Sequence, residues 1–115
     1  MLQVVDLQRS ETFQQLDVQL VSIAPDPPEA WRDAAREYDV PPSAVLLSDV
    51  ANEVANAYDV MKWAAATGEP GHTFILVDES GVVTWVKDYG ALENGGIMYV
   101  VPDELVGLLS AQLGT

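Results

Sequence analysis

Residues 72–88, HTFILVDESGVVTWVKD, decide the fold. From Thr73 to Asp78 both alternating faces are apolar, with Phe74 and Leu76 on one side and Ile75 and Val77 on the other. That pattern predicts a strand buried on both sides. Asp78-Glu79-Ser80-Gly81 is turn chemistry, and Gly81 supplies a position that tolerates positive φ. Val82 to Lys87 alternates less strictly, with Val83 and Trp85 on one face and Thr84 on the other. The two runs and the short connection between them predict a β-hairpin.

Working outward, the 115 residues fit one domain, and 49% hydrophobic content supplies a modest core. No apolar run approaches the ~20 residues of a membrane span, and no basic segment precedes an apolar stretch at the N-terminus. Eighteen acidic residues against five basic ones give a net charge of −13. Such a chain repels phosphate backbones and offers no basic patch, so nucleic acid is not an expected partner. The acidity reads as a solvated surface. The chain has no cysteine. Disulfides, thiolate catalysis and thiolate metal sites are excluded within it, and a reducing cytoplasm fits.

Leu2, Val5, Phe13 and Leu16 fall on one helical stripe, which predicts a helix over 2–16. Val18–Ala24 is rich in β-branched residues and predicts a buried strand. Asp26, Pro27 and Glu29 form an Asp-x-x-Glu start for a helix running to about Tyr38, with Ala30, Trp31, Ala34, Ala35 and Tyr38 inward. Pro41-Pro42 ends it. Ala44–Leu47 is a short strand candidate. Ser48-Asp49 caps a helix over 50–58 that is expected to bury Val50, Val54, Ala57 and Tyr58. Residues 59–71 are ambiguous, with one helical turn at Lys62–Ala66 before the break at Gly68–Gly71. Tyr89–Tyr99 holds three glycines and no periodicity, and is long enough for a functional loop. Pro102 opens a last helix with Leu105, Leu108, Leu109 and Leu113 inward. Alternating elements followed by a hairpin specify an α/β domain, with parallel strands first and an antiparallel edge last.

Three stretches carry a family likeness: residues 18–40, VQLVSIAPDPPEAWRDAAREYDV; residues 46–60, LLSDVANEVANAYDV; and residues 71–90, GHTFILVDESGVVTWVKDYG. Together they resemble the thioredoxin-fold peroxiredoxins, in particular the alkyl hydroperoxide reductase/thiol-specific antioxidant group and its redoxin relatives. The resemblance implies a thioredoxin-like α/β domain, a mixed sheet with helices on both faces, and reduction of peroxides or disulfides in complete members. It also implies a strand and a peroxide-attacking cysteine ahead of the helix that here begins at Leu2. The chain is therefore expected to be truncated at its N-terminus, without the central strand that would lie between Val18–Ala24 and Thr73–Asp78. The family's active-site wall corresponds here to Pro70, Gly71, His72 and Thr73, with Gly71 where members carry a cis-proline or an arginine. None of Arg9, Arg32, Arg36, Lys62 and Lys87 stands at a matching place. The resemblance thus implies redox ancestry without peroxidase activity in this polypeptide, and a thiol reductant as partner only for a longer form.

Other residues offer little chemistry. His72 is the one histidine, and without a Ser or Cys partner it reads as structural. Asp49, Asn52 and Glu53 match no calcium loop, and capping explains Asp49. The loop 78–81 forms a turn and not a metal loop. Trp31, Trp63, Trp85, Tyr58, Tyr89 and Tyr99 read as core or rim. No phosphate-cradling turn is present, so no cofactor, metal or catalytic residue is assigned. Two strands without a neighbour would expose unpaired edges, so self-association through those edges is expected. The alternatives are an inactive redox domain and a non-enzymatic interaction module.

Overall fold

The computed structural model describes residues 1–64 and 68–114. The single helix expected over 2–16 is two: α1, Leu2–Arg9, and α2, Glu11–Gln14. Ser10 divides them. Its backbone is extended (φ −77°, ψ 117°), and its Oγ accepts from the Phe13 amide at 3.1 Å. A serine that caps the next turn interrupts the preceding one.

Strand β1 is Val21–Ala24, shorter than expected because only these residues find a partner strand. Val18 and Leu20 instead pack against the core. Helix α3 is Pro28–Glu37; Pro27 occupies the cap position and no side chain caps it, so the Asp26/Glu29 arrangement does not form. β2 is Val45–Ser48.

Helix α4 spans only Glu53–Ala57, and its buried residue is Ala55. The expected inner residues Val50, Val54 and Tyr58 are exposed, as is Ala57. The start is later than expected because Asn52 takes a left-handed conformation (φ 58°), which shifts the phase of the helix. Asp49 still caps, from three residues further back: its carboxylate accepts from the amides of Val54 (3.1 Å) and Ala55 (2.9 Å). α3 and α4 both end on Tyr-Asp-Val with the aspartate left-handed. In each, the valine amide reaches back to a carbonyl five residues earlier, Val40 to Ala35 and Val60 to Ala55. A 3-10 turn follows at Met61–Trp63. Ala65 and Ala66, at the end of the expected turn there, lie outside the described residues.

The hairpin forms as expected. β3, Thr73–Val77, pairs antiparallel with β4, Val83–Asp88. Asp78 Oδ1 accepts from the amides of Ser80 and Val82, both at 2.9 Å, and Gly81 sits at φ 83°. β3 is half-buried and not enclosed on both sides. Phe74 and Leu76 pack on the core, while Val77 is exposed. Leu92–Asn94 makes a 3-10 turn in the following loop. The last helix, α5, runs Pro102–Leu113 and turns Leu105 and Leu109 inward.

The strands do not form one mixed sheet. β1 and β2 make a parallel pair, β3 and β4 an antiparallel pair, and the two pairs are separate. The ladders show which backbone groups are left over. The Tyr89 amide bonds to the His72 carbonyl at 2.8 Å, so the bonded pairs fall on His72, Phe74 and Leu76. Thr73 and Ile75 therefore turn their N–H and C=O away from β4. The Asp49 amide bonds to the Ala24 carbonyl at 2.7 Å, so Ser22 and Ala24 face β2. Val21 and Ile23 face outward. Each sheet thus has an open edge, on β1 and on β3.

The core gathers where the two ends of the chain meet beside the hairpin. Leu7, Phe13, Tyr89, Val100, Leu105 and Leu109 form one buried cluster. Among the described residues, no helix is long and apolar enough to cross a membrane. Leu105→Ala should cost about 2–5 kcal/mol, the usual loss for emptying a buried leucine site, measured by urea unfolding. Gly90→Ala should be at least comparably damaging. A Cβ there would lie 2.4 Å from the His72 amide nitrogen, backbone against backbone, with no side chain free to yield.

Candidate functional site

The base of the hairpin collects most of the polar groups that the fold buries. Gln3, on α1, is 7% exposed. Its Nε2 donates to the Val100 carbonyl at 2.9 Å and its Oε1 accepts from the Val100 amide at 2.7 Å. The side-chain amide acts as a one-residue strand partner, and that pairing fixes which end is oxygen. His72 Nε2 lies 2.8 Å from the same Oε1, so it must carry the proton and donate. The imidazole ring meets Phe74 edge-on at 5.0 Å, and Phe74 meets Tyr89 likewise at 5.9 Å.

Asp88 is the second centre, 6% exposed at the end of β4. It accepts from Thr73 Oγ1 (2.6 Å), Asn94 Nδ2 (2.8 Å) and the Ala91 amide (3.0 Å). These bonds close the loop that begins at Tyr89 back onto the hairpin. Gly71 and Gly90 pack backbone to backbone between the two centres. Nearby, the Tyr89 hydroxyl donates to Glu104 at 2.9 Å, and the Tyr99 hydroxyl donates to Asp6.

Protonation follows from these surroundings. Burial, then the positive charge of the Met1 amine, lowers the His72 pKa below its ordinary 6.5, with Asp88 opposing. Burial raises Asp88, but the bonds from Asn94, Thr73, Ala91 and Gly90 outweigh it and hold the carboxyl below its ordinary value. Burial and the bond to Glu104 push Tyr89 up to about 12. The neutral imidazole, the ionised Asp88 and the neutral phenol are thus the forms at neutral pH.

Of the four residues the family resemblance singled out, His72 and Thr73 enter this network through their side chains. Gly71 enters only as a close backbone contact, and Pro70 is half-buried beside it. Gln3 and Asp88 belong to the same site without a signal in the sequence, Gln3 because its partners are 69 and 97 residues away, while Gly90 and Asn94 lie in the loop Tyr89–Tyr99 that the sequence marked only as long enough for a function. The network is rich in acceptors and saturated by its own donors. It offers no effective nucleophile–base pair: Thr73 donates to Asp88, whose carboxyl is held below its ordinary value by its hydrogen bonds and is a weak base, and His72 donates to an amide. Among the described residues, no group of three or more His, Cys, Asp or Glu side chains is placed to hold a metal ion.

The AhpC/TSA family model matches residues 3–86, well over half of the chain. The chain belongs to that family. The family implies a thioredoxin-like fold, and the match covers Gln3, His72 and Thr73 of the network but stops short of Asp88, Asn94 and Val100, in a chain with no cysteine. No curated protein and no solved structure matches it.

Acid should loosen this site in two steps. His72 titrates lower folded than unfolded, so its contribution is full above about pH 6.5 and falls as the pH drops through the folded pKa. Asp88 adds a second loss below its ordinary range, near pH 4 and lower. Urea midpoints measured between pH 8 and 3 should fall in that order. His72→Phe should flatten the first step and leave the second. Gln3→Leu should cost about 1–3 kcal/mol, since it strands the buried Val100 amide.

Proposed function

We propose, from membership of the AhpC/TSA family and the absence of any thiol in these 115 residues, that the chain is an inactive redox-family domain that works by association. The observation that carries this reading is the missing cysteine. The family's peroxidase step needs a thiolate, and neither Thr73 nor His72 replaces it, because the hydroxyl and the imidazole N–H are both spent on internal acceptors. The association surface is the pair of open strand edges. Outward backbone groups on β1 and β3 are templates for pairing with another chain, and Val21 and Ile23 on β1 are each 44% exposed. A second copy, pairing or exchanging elements there, is the partner this reading names.

A second reading keeps the redox role. The chain would then serve a longer form in which a thiol and its reductant act from outside these residues, and the hairpin base would be a wall of that site. Family membership favours it; nothing in the network supplies its chemistry.

With hydrogen peroxide and dithiothreitol or thioredoxin, the chain should show no turnover above the protein-free blank. Turnover would overturn the proposal. Sedimentation should show a dimer that tightens with salt, because two chains of charge −13 repel. Ile23→Pro should weaken the dimer while keeping the fold, since it removes an outward N–H. Ser22→Pro should unfold β1, since it removes an inward one. A monomer at all concentrations would refute the edge-pairing role.

A further inference from the structure

A groove of about 480 Å³ lies between α3 and β2, and none of its lining residues belongs to β1 or to the hairpin. Its walls are largely apolar. Pro28, Pro41 and Pro42 line it, together with Val40 and Leu46. Trp31 forms one side, with its indole held in place because Nε1 donates to the Leu47 carbonyl at 2.9 Å. Val40 is held by the bond from its amide to Ala35 at 2.9 Å.

The charge pattern is the informative part. Eighteen of the chain's residues are acidic, yet none lines this groove. Its one charged lining residue is Arg32, and Arg32 makes no ion pair among the described residues. A second surface groove, at α1 and Pro102, is lined by Arg9 together with the carboxylates of Asp6 and Asp103. Arg36 is paired with Asp33, and Lys62 with Asp59. An apolar trough of small-molecule volume with a lone guanidinium at its lip matches a compact apolar body bearing one carboxylate.

We propose that the α3–β2 groove binds a small amphipathic carboxylate, with the apolar body against Trp31 and Pro41-Pro42 and the carboxylate on Arg32. This site is independent of the thiol question and of association through the strand edges. The overall charge of −13 opposes any anion, so a preference for acid over alcohol in this groove has to come from Arg32.

The probes are 4-phenylbutyrate and its neutral counterpart 4-phenylbutan-1-ol, titrated into the full chain and followed by the Trp31 indole N–H and groove amides in proton–nitrogen spectra. The acid should shift these signals saturably and bind about tenfold more tightly than the alcohol, a difference of about 1.4 kcal/mol. Arg32→Gln, at an exposed position, should erase that preference, so that acid and alcohol bind equally when both are titrated into the variant. Glu29→Gln, which removes the carboxylate three residues before Arg32 on the same helix, should tighten acid binding. The inference is overturned by equal binding of acid and alcohol, by an acid preference that survives Arg32→Gln, by shifts centred elsewhere, or by no saturable shift at millimolar ligand. None of these outcomes depends on peroxide turnover or oligomeric state.

Discussion

One side-chain amide holds the ends of this chain together. Gln3 pairs with both backbone groups of Val100 and accepts from His72, so a single residue of α1 ties the start of the hairpin to the segment that leads into α5. The same three elements build the buried cluster around Leu7, Tyr89 and Leu105. A buried amide satisfied on every side specifies one arrangement, because any slip leaves several groups unpaired at once. Apolar packing supplies most of the stabilisation here, and the Gln3 bonds decide its register.

The sequence was legible where the signal was local. The hairpin could be read from alternation on either side of Asp78–Gly81, and the order of elements from proline and the heptad-like leucines of α5. It was illegible where geometry overrode periodicity. Val50, Val54, Ala57 and Tyr58 make a plausible inner face only if a helix starts at Val50; the left-handed Asn52 delays the start, and Ala55 is buried instead. Ser10 divided the first helix through a cap that a stripe of apolar residues does not reveal. At the site, Pro70–Thr73 could be placed through the family likeness, and two of those side chains do join the network. Gln3 could not, because its partners lie 69 and 97 residues away. Asp88 fell just past the strand expected over Val82–Lys87, and only the folded loop shows that it is the acceptor for Thr73 and Asn94.

Electrostatics adds little to stability. Among the described residues the ion pairs are Arg36 with Asp33 and Lys62 with Asp59, each exposed and each three residues apart. The surplus of carboxylates leaves a surface that repels its like. A cation outside an ion pair therefore weighs more on this chain than it would on a balanced one.

From Val21 through Ser48 no residue is buried. This segment carries β1, α3 and β2, and it lacks the enclosed side chains that anchor the hairpin and α5. Its amides are placed to exchange with solvent through a local opening that leaves the far core closed, so it forms a cooperative unit of lower stability than the whole. The protein then behaves as a firm half carrying a pliant one. Whatever docks on the pliant half stiffens it, and part of the binding free energy appears as slowed exchange there instead of as affinity.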